Sequence, residues 1–175
     1  MIRKIIIFIL IVACCILQTT VFSLQSVTSV SPNLMIIITI SIAFMQGKKE
    51  GILTGLISGL LIDFTYGSVY GFYGLLYMLV GYASGFFCQV YFDNDVKMPL
   101  ILATVSDILC NFVVYVVFFL LRGRLAFAHF LMEIILPEAV YTALMTLILY
   151  RLFYVINHAL VNNQKKGRQS LWIKD

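Results

Sequence analysis

Residues 32–66 read PNLMIIITISIAFMQGKKEGILTGLISGLLIDFTY, and this stretch decides the fold. Two long apolar runs flank one charged cluster, Lys48-Lys49-Glu50. Neither run alternates with the period of two that a membrane barrel strand requires. In hydrocarbon only helices and closed barrels satisfy every backbone N–H and C=O internally, so the pattern reads as a helical hairpin in a bilayer. Ser31 is placed to cap the first helix, with Pro32 at its first position.

The same pattern extends in both directions. Apolar spans are expected at about residues 5–24, 32–46, 51–66, 71–92, 99–121 and 135–155. Of 175 residues, 62% are hydrophobic and 11% charged. A soluble domain is about a quarter charged, and one this small leaves too much surface in water to hide the excess. The expected fold class is all-α: a polytopic membrane bundle of about six transmembrane helices. The expected organisation is a membrane domain over 1–160 and a basic tail over 161–175 carrying Lys165, Lys166, Arg168 and Lys174.

Two segments need separate argument. Arg3, Lys4 and the following apolar run share the outline of a signal peptide, but the run exceeds the usual ~7–15 residues, so a retained span is expected. The last apolar region, 125–156, would measure about 48 Å as one helix, against a hydrocarbon core of about 30 Å. Pro137 interrupts it, so 125–134 reads as a loop or interfacial helix, followed by a span kinked near Pro137.

Lysine and arginine placement sets the orientation. With the N-terminus in the cytoplasm, ten of these residues fall inside and only Arg122 and Arg124 outside. This predicts both termini on the cytoplasmic side. The basic tail suits anionic lipid headgroups, and no soluble basic face suggests nucleic acid.

Several side chains stand out. Gly51, Gly55, Gly59, Asp63, Gly67 and Gly71 recur every four residues, and Gly81 and Gly85 repeat the spacing. Such a stripe admits close helix approach, either within the bundle or from a partner helix. Asp63 lies near the end of its span, where its carboxylate can bond the exposed N–H groups opening the fourth span. Asp107 and Asn111 share a helix face as a possible buried polar pair, or as part of a proton or substrate path. Glu133 and Glu138 flank Pro137, where they can line a cavity or bond backbone groups freed by the proline.

Cys14, Cys15, Cys88 and Cys110 lie in apolar runs without a C-x-x-C spacing, and read as packing residues. His129 and His158 have no neighbouring ligands, so neither a metal nor another cofactor is expected. No nucleophile elbow, H-E-x-x-H or phosphate loop occurs, and Ser106-Asp107 beside Asn111 lacks a placed base, so an enzyme is not expected.

The stretch Gly59-Leu60-Leu61-Ile62-Asp63-Phe64, with Gly67, Gly71, Leu76-Tyr77, Gly81-Tyr82 and Gly85, resembles the hallmark of the MreD family of rod shape-determining proteins. Leu17-Gln18-Thr19-Thr20, Pro32-Asn33-Leu34 and the turn at 47–51 are similar too, although the family usually has Pro-Asp at Pro32-Asn33. The resemblance implies a bacterial cytoplasmic membrane protein beside MreC, connecting MreB filaments to RodA and a class B penicillin-binding protein in lateral-wall peptidoglycan synthesis. It implies no catalytic residues, and a fold similar to the substrate-binding subunits of energy-coupling-factor vitamin transporters. A non-enzymatic scaffold is therefore expected, with Tyr77 and the glycines as its packing or partner face. The alternative is a transporter subunit binding a vitamin-type molecule.

Overall fold

A computed structural model describes residues 2–20, 31–66, 69–87, 97–118 and 130–172. These form α1 (Ile2–Thr20), α2 (Leu34–Gln46), α3 (Lys48–Tyr66), α4 (Phe72–Phe87), α5 (Lys97–Phe118) and α6 (Leu136–Trp172), with no strand among them. Gly67, Cys88, Arg122, Arg124 and His129 lie outside the described residues.

The bundle is built around α2. Every residue from Leu34 to Phe44 is buried, and Met35 to Ile38 are wholly inaccessible. α3 and α4 pack on α2 and most closely on each other, α5 and α6 pair on α2 as well, and α4 barely meets α5. A helix apolar on all sides suits this enclosed position. The outer helices are apolar on the opposite side from a soluble protein. Along α3 the inward residues are Gly51, Thr54, Gly55, Ser58, Gly59 and Asp63, while Leu53, Leu56, Leu60 and Phe64 point out. Ile101, Val105, Leu109 and Phe112 make the same outward stripe on α5, as do Val140, Leu144 and Ile148 on α6. Apolar faces this extensive need lipid or protein against them.

Two helical segments have the length and apolarity to cross a membrane unaided, Lys97–Phe118 and Leu131–Ile156. α1, α2 and α4 are shorter apolar helices. At 13 residues α2 rises only about 20 Å, short of the core of about 30 Å. Its brevity follows from its ends. Gly47, with φ of 89°, reverses the chain at once, and its N–H closes on Ala43 O at 2.8 Å. The cluster Lys48-Lys49-Glu50 thus forms the first turn of α3 rather than a loop.

Two other expectations change. Asn33, not Ser31, caps α2: its Oδ1 accepts the N–H of Ile36 at 3.3 Å. Pro32 therefore stands outside the helix, and its carbonyl accepts the N–H of Leu34 at 3.1 Å. Around Pro137 the chain is already helical. Leu131–Ile135 is a π-turn running into α6, and the N–H of Leu136 reaches back to Leu131 O. Proline removes a donor and crowds the preceding turn, and a π-turn accommodates both without breaking the helix. α6 then runs unbroken for 37 residues to Trp172, so the basic tail begins as a continuation of the last helix.

Candidate functional site

The residue before α2 gathers four helices. Asn33 is buried, and its backbone N–H donates to Thr142 Oγ1 of α6 at 3.1 Å. Its Nδ2 donates to Asp107 Oδ1 of α5 at 3.2 Å. The Tyr77 hydroxyl of α4 donates to its Oδ1 at 2.9 Å, and that oxygen also caps α2. One step along, the N–H of Met35 donates to Gln18 Oε1 of α1 at 3.3 Å. Asn33, Tyr77, Asp107 and Thr142 are each at most 9% exposed, so the network is cut off from the surroundings. Low local dielectric strengthens such bonds and makes the loss of one partner costly.

Asp107 extends the network along the α5–α6 contact. Thr142 interacts with its carboxylate, and Glu138, one turn before Thr142 on the same face of α6, lies within electrostatic reach of Asp107 and Asn111. Asp107 Oδ2 and Asn111 Nδ2 are buried without a hydrogen-bond partner. Asp107 and Asn111 thus belong to a larger polar layer of the bundle rather than to an isolated pair.

Asp63 forms a second, separate constellation. Its Oδ2 accepts the N–H groups of Gly71 at 3.1 Å and Gly74 at 2.9 Å, and its Oδ1 that of Tyr73 at 3.1 Å. These are donors that α4 cannot satisfy within its own first turn, where the helix dipole also favours negative charge. Gly71 holds φ of 92°, the left-handed conformation that turns the chain into this position. The carboxylate is 2% exposed and fully committed to the α3–α4 junction.

The glycine ladder fills the seam between the same two helices. A Cβ at Gly55 would lie 2.7 Å from the carbonyl carbon of Tyr77, and one at Gly59 2.6 Å from Gly74 Cα. At Gly51 it would meet Ala43 Cβ at 2.6 Å, and Gly81 faces Gly51 across the seam. Gly85 closes against the start of α3, where a Cβ would be 2.6 Å from Lys48 Cα. Backbone lies against backbone at Gly51, Gly55, Gly59, Gly81 and Gly85, which leaves no room there for another chain, whereas nothing lies within 4 Å of a Cβ at Gly71. α2 joins this unit through Thr39 and Ser58, whose hydroxyls bond at 2.7 Å.

The opposite end of the bundle is basic. Lys4 pairs with Glu50 at 3.7 Å, and the Lys48 ammonium lies 4.2 Å from the Phe86 ring centroid. A shallow groove between α1 and α3 opens beside Lys4 and is lined by Ile7, Phe8, Ile11, Leu53 and Ile57. Cys14, Cys15 and Cys110 are buried free thiols among apolar side chains. No group of three or more metal-ligating side chains occurs among the described residues.

The family model for the rod shape-determining protein MreD matches residues 1–158. The chain belongs to the MreD family. This is a family of membrane proteins of rod-shape determination, so the apolar exterior is a membrane-embedded one. The match covers α1 to α5 and the first part of α6. No curated protein and no solved structure matches, so the likeness to energy-coupling-factor subunits stands on the sequence resemblance alone. Where the MreD family usually has Pro-Asp, this member has Asn33, and the amide supplies the donor that Asp107 accepts.

Sequence reasoning missed Asn33, Thr142 and Gln18 as network members. Asn33 had a usable signal: a polar residue directly before a helix apolar on every side must cap it from within the bundle. Thr142 had none, because threonine commonly satisfies itself on the preceding turn of a membrane helix.

Proposed function

We propose that the protein is a non-enzymatic membrane scaffold of the bacterial cell-elongation machinery. It connects an MreC-like protein and MreB filaments to lateral-wall peptidoglycan synthesis by RodA and a class B penicillin-binding protein. Both termini lie on the cytoplasmic side, and the six helices cross the cytoplasmic membrane. Family membership along residues 1–158 is the observation that carries this reading.

The geometry supports it in a specific way. Among the described residues, the two main buried polar constellations are spent on joining helices to one another. Asp63 is consumed by α4, and Asn33 by α4, α5 and α6. What faces outward is apolar helix surface, suited to packing against other membrane helices. Because Gly51, Gly55, Gly59, Gly81 and Gly85 are occupied internally, partner contacts belong on the outer stripes of α3, α5 and α6.

Photo-crosslinking in living cells tests this. Probes at Leu56, Val105 and Leu144, each on a different outward stripe, should capture an MreC-like or wall-synthesis protein from at least one stripe. A probe at buried Ile38 should capture none. Capture of lipid alone from every stripe would count against a scaffold acting through these faces.

A further inference from the structure

α1 and α3 leave a groove between them at their charged ends. It runs from Lys4 to Ile11 on α1 and from Glu50 to Ile57 on α3, about 10 Å along both helices. The lining residues follow the same i, i+3, i+4, i+7 spacing on each helix, so two facing stripes lie in step. Ile7, Ile11 and Thr54 are buried and make the floor, whereas Phe8 and Leu53 are about half exposed and make the rims. The Thr54 hydroxyl donates to Glu50 O at 2.7 Å, which spends its polar atom on its own helix. The floor is therefore apolar, and the groove opens onto the membrane-embedded exterior.

The mouth of this groove carries opposite charges side by side. Lys4 Nζ lies 3.7 Å from Glu50 Oε1, beyond hydrogen-bond length, so neither group spends its hydrogen-bonding capacity on the other. Lys4 is 66% exposed and Glu50 19%, so the ammonium side is the open one. Lys48 is engaged elsewhere, over the Phe86 ring of α4. Charged groups avoid hydrocarbon, so the pair marks the level of the lipid headgroups, and the apolar groove descends from it into the acyl-chain region. A phospholipid presents its groups in the same order: charged headgroup first, then an apolar chain. A slot between two helices bridged by an ion pair admits one such chain, whereas another helix is about 10–12 Å across.

We propose that this groove seats one glycerophospholipid with an amine-bearing headgroup, of the phosphatidylethanolamine type. Its phosphate is held by the Lys4 ammonium and its own ammonium by the Glu50 carboxylate. One acyl chain lies over Ile7, Ile11 and Thr54. Glu50 selects the headgroup. A headgroup with a phosphate and no amine sets like charge near this carboxylate, and a choline group has no N–H for it to accept, whereas a primary ammonium gives a charge-assisted hydrogen bond. α1 packs on α2 and α3, so a lipid that bridges Lys4 and Glu50 fastens α1 to the rest of the bundle.

Native mass spectrometry of the purified full-length protein in detergent tests this, with phosphatidylethanolamine, phosphatidylglycerol and phosphatidylcholine of identical acyl chains titrated in turn. The first phosphatidylethanolamine should bind about threefold more tightly than either of the others, the size of one interfacial ion pair. Glu50→Gln should abolish its preference over phosphatidylcholine, and Lys4→Gln should weaken all three lipids. In phosphatidylcholine nanodiscs, a phosphatidylethanolamine with a photoreactive acyl chain should label the Ile7–Ile11 and Leu53–Ile57 segments of the wild type ahead of the outward stripe of α5. If a variant does not fold, the selectivity and labelling of the wild type decide. Equal binding of the three lipids, tighter binding of phosphatidylglycerol, a preference that survives Glu50→Gln, binding unchanged by Lys4→Gln, or labelling no stronger at the groove than at Val105 and Leu109 would each overturn the proposal.

Discussion

The Asn33 amide donates to Asp107 Oδ1 at 3.2 Å, joining residues 74 apart in sequence across the centre of the bundle. Its direction matters. Asp107 accepts through Oδ1, so residue 33 must donate, and the amide does so through Nδ2 while its Oδ1 caps α2 and receives Tyr77.

Asn33→Asp should therefore destabilise the protein although it hardly changes shape. It removes the donor and puts a carboxylate in its place against Asp107, with an expected cost of about 1–3 kcal/mol. The double variant Asn33→Asp/Asp107→Asn restores one donor and one acceptor and should regain much of the loss. Tyr77→Phe, which removes a single bond, should cost about 0.5–1.5 kcal/mol. Unfolding in detergent or nanodiscs measures all three, and an additive double variant would contradict the pairing.

Asp63→Ala should free three N–H groups at the start of α4 and cost about 1–3 kcal/mol. Faster hydrogen exchange at Gly71, Tyr73 and Gly74 should accompany it, with little change in α6. Unchanged exchange at those three amides would show that the carboxylate does not hold the junction.

Gly55→Ala and Gly47→Ala separate two reasons for glycine. At Gly55 the added methyl group meets the Tyr77 backbone, which cannot move without parting α3 from α4. At Gly47 nothing lies within 4 Å, and only the φ of 89° resists a side chain. The first should cost about 1–3 kcal/mol by overpacking and the second about 1 kcal/mol by backbone strain. Gly55→Leu should abolish accumulation of folded protein, read by its level in membranes. A Gly55→Leu protein at normal level would contradict the seam.

Much of this was legible in the sequence, but unevenly. The apolar runs and charge clusters located all six helices because desolvation is a local property of composition. Asp63 was placed at the α4 start because its partners lie only eight to eleven residues away. The ladder revealed close packing, but periodicity alone does not say which helix lies against it. α3 and α4 being joined by a short turn decides that. The cap of α2 was misplaced by two residues because Ser31 and Asn33 are both good caps, and the choice is made by Tyr77, Asp107 and Thr142 from distant helices. The π-turn before Pro137 was invisible for a similar reason: proline announces a disturbance, and packing chooses its form.

Depletion of the protein from a rod-shaped bacterial host tests the central claim most directly, with cell shape and lateral-wall incorporation followed together. The expected result is rounding with loss of lateral incorporation, rescued by wild type and by Leu79→Ala on the exposed face of α4, away from the proposed partner stripes, but not by Gly55→Leu. Cells that stay rod-shaped with normal wall incorporation after the protein has gone would contradict it.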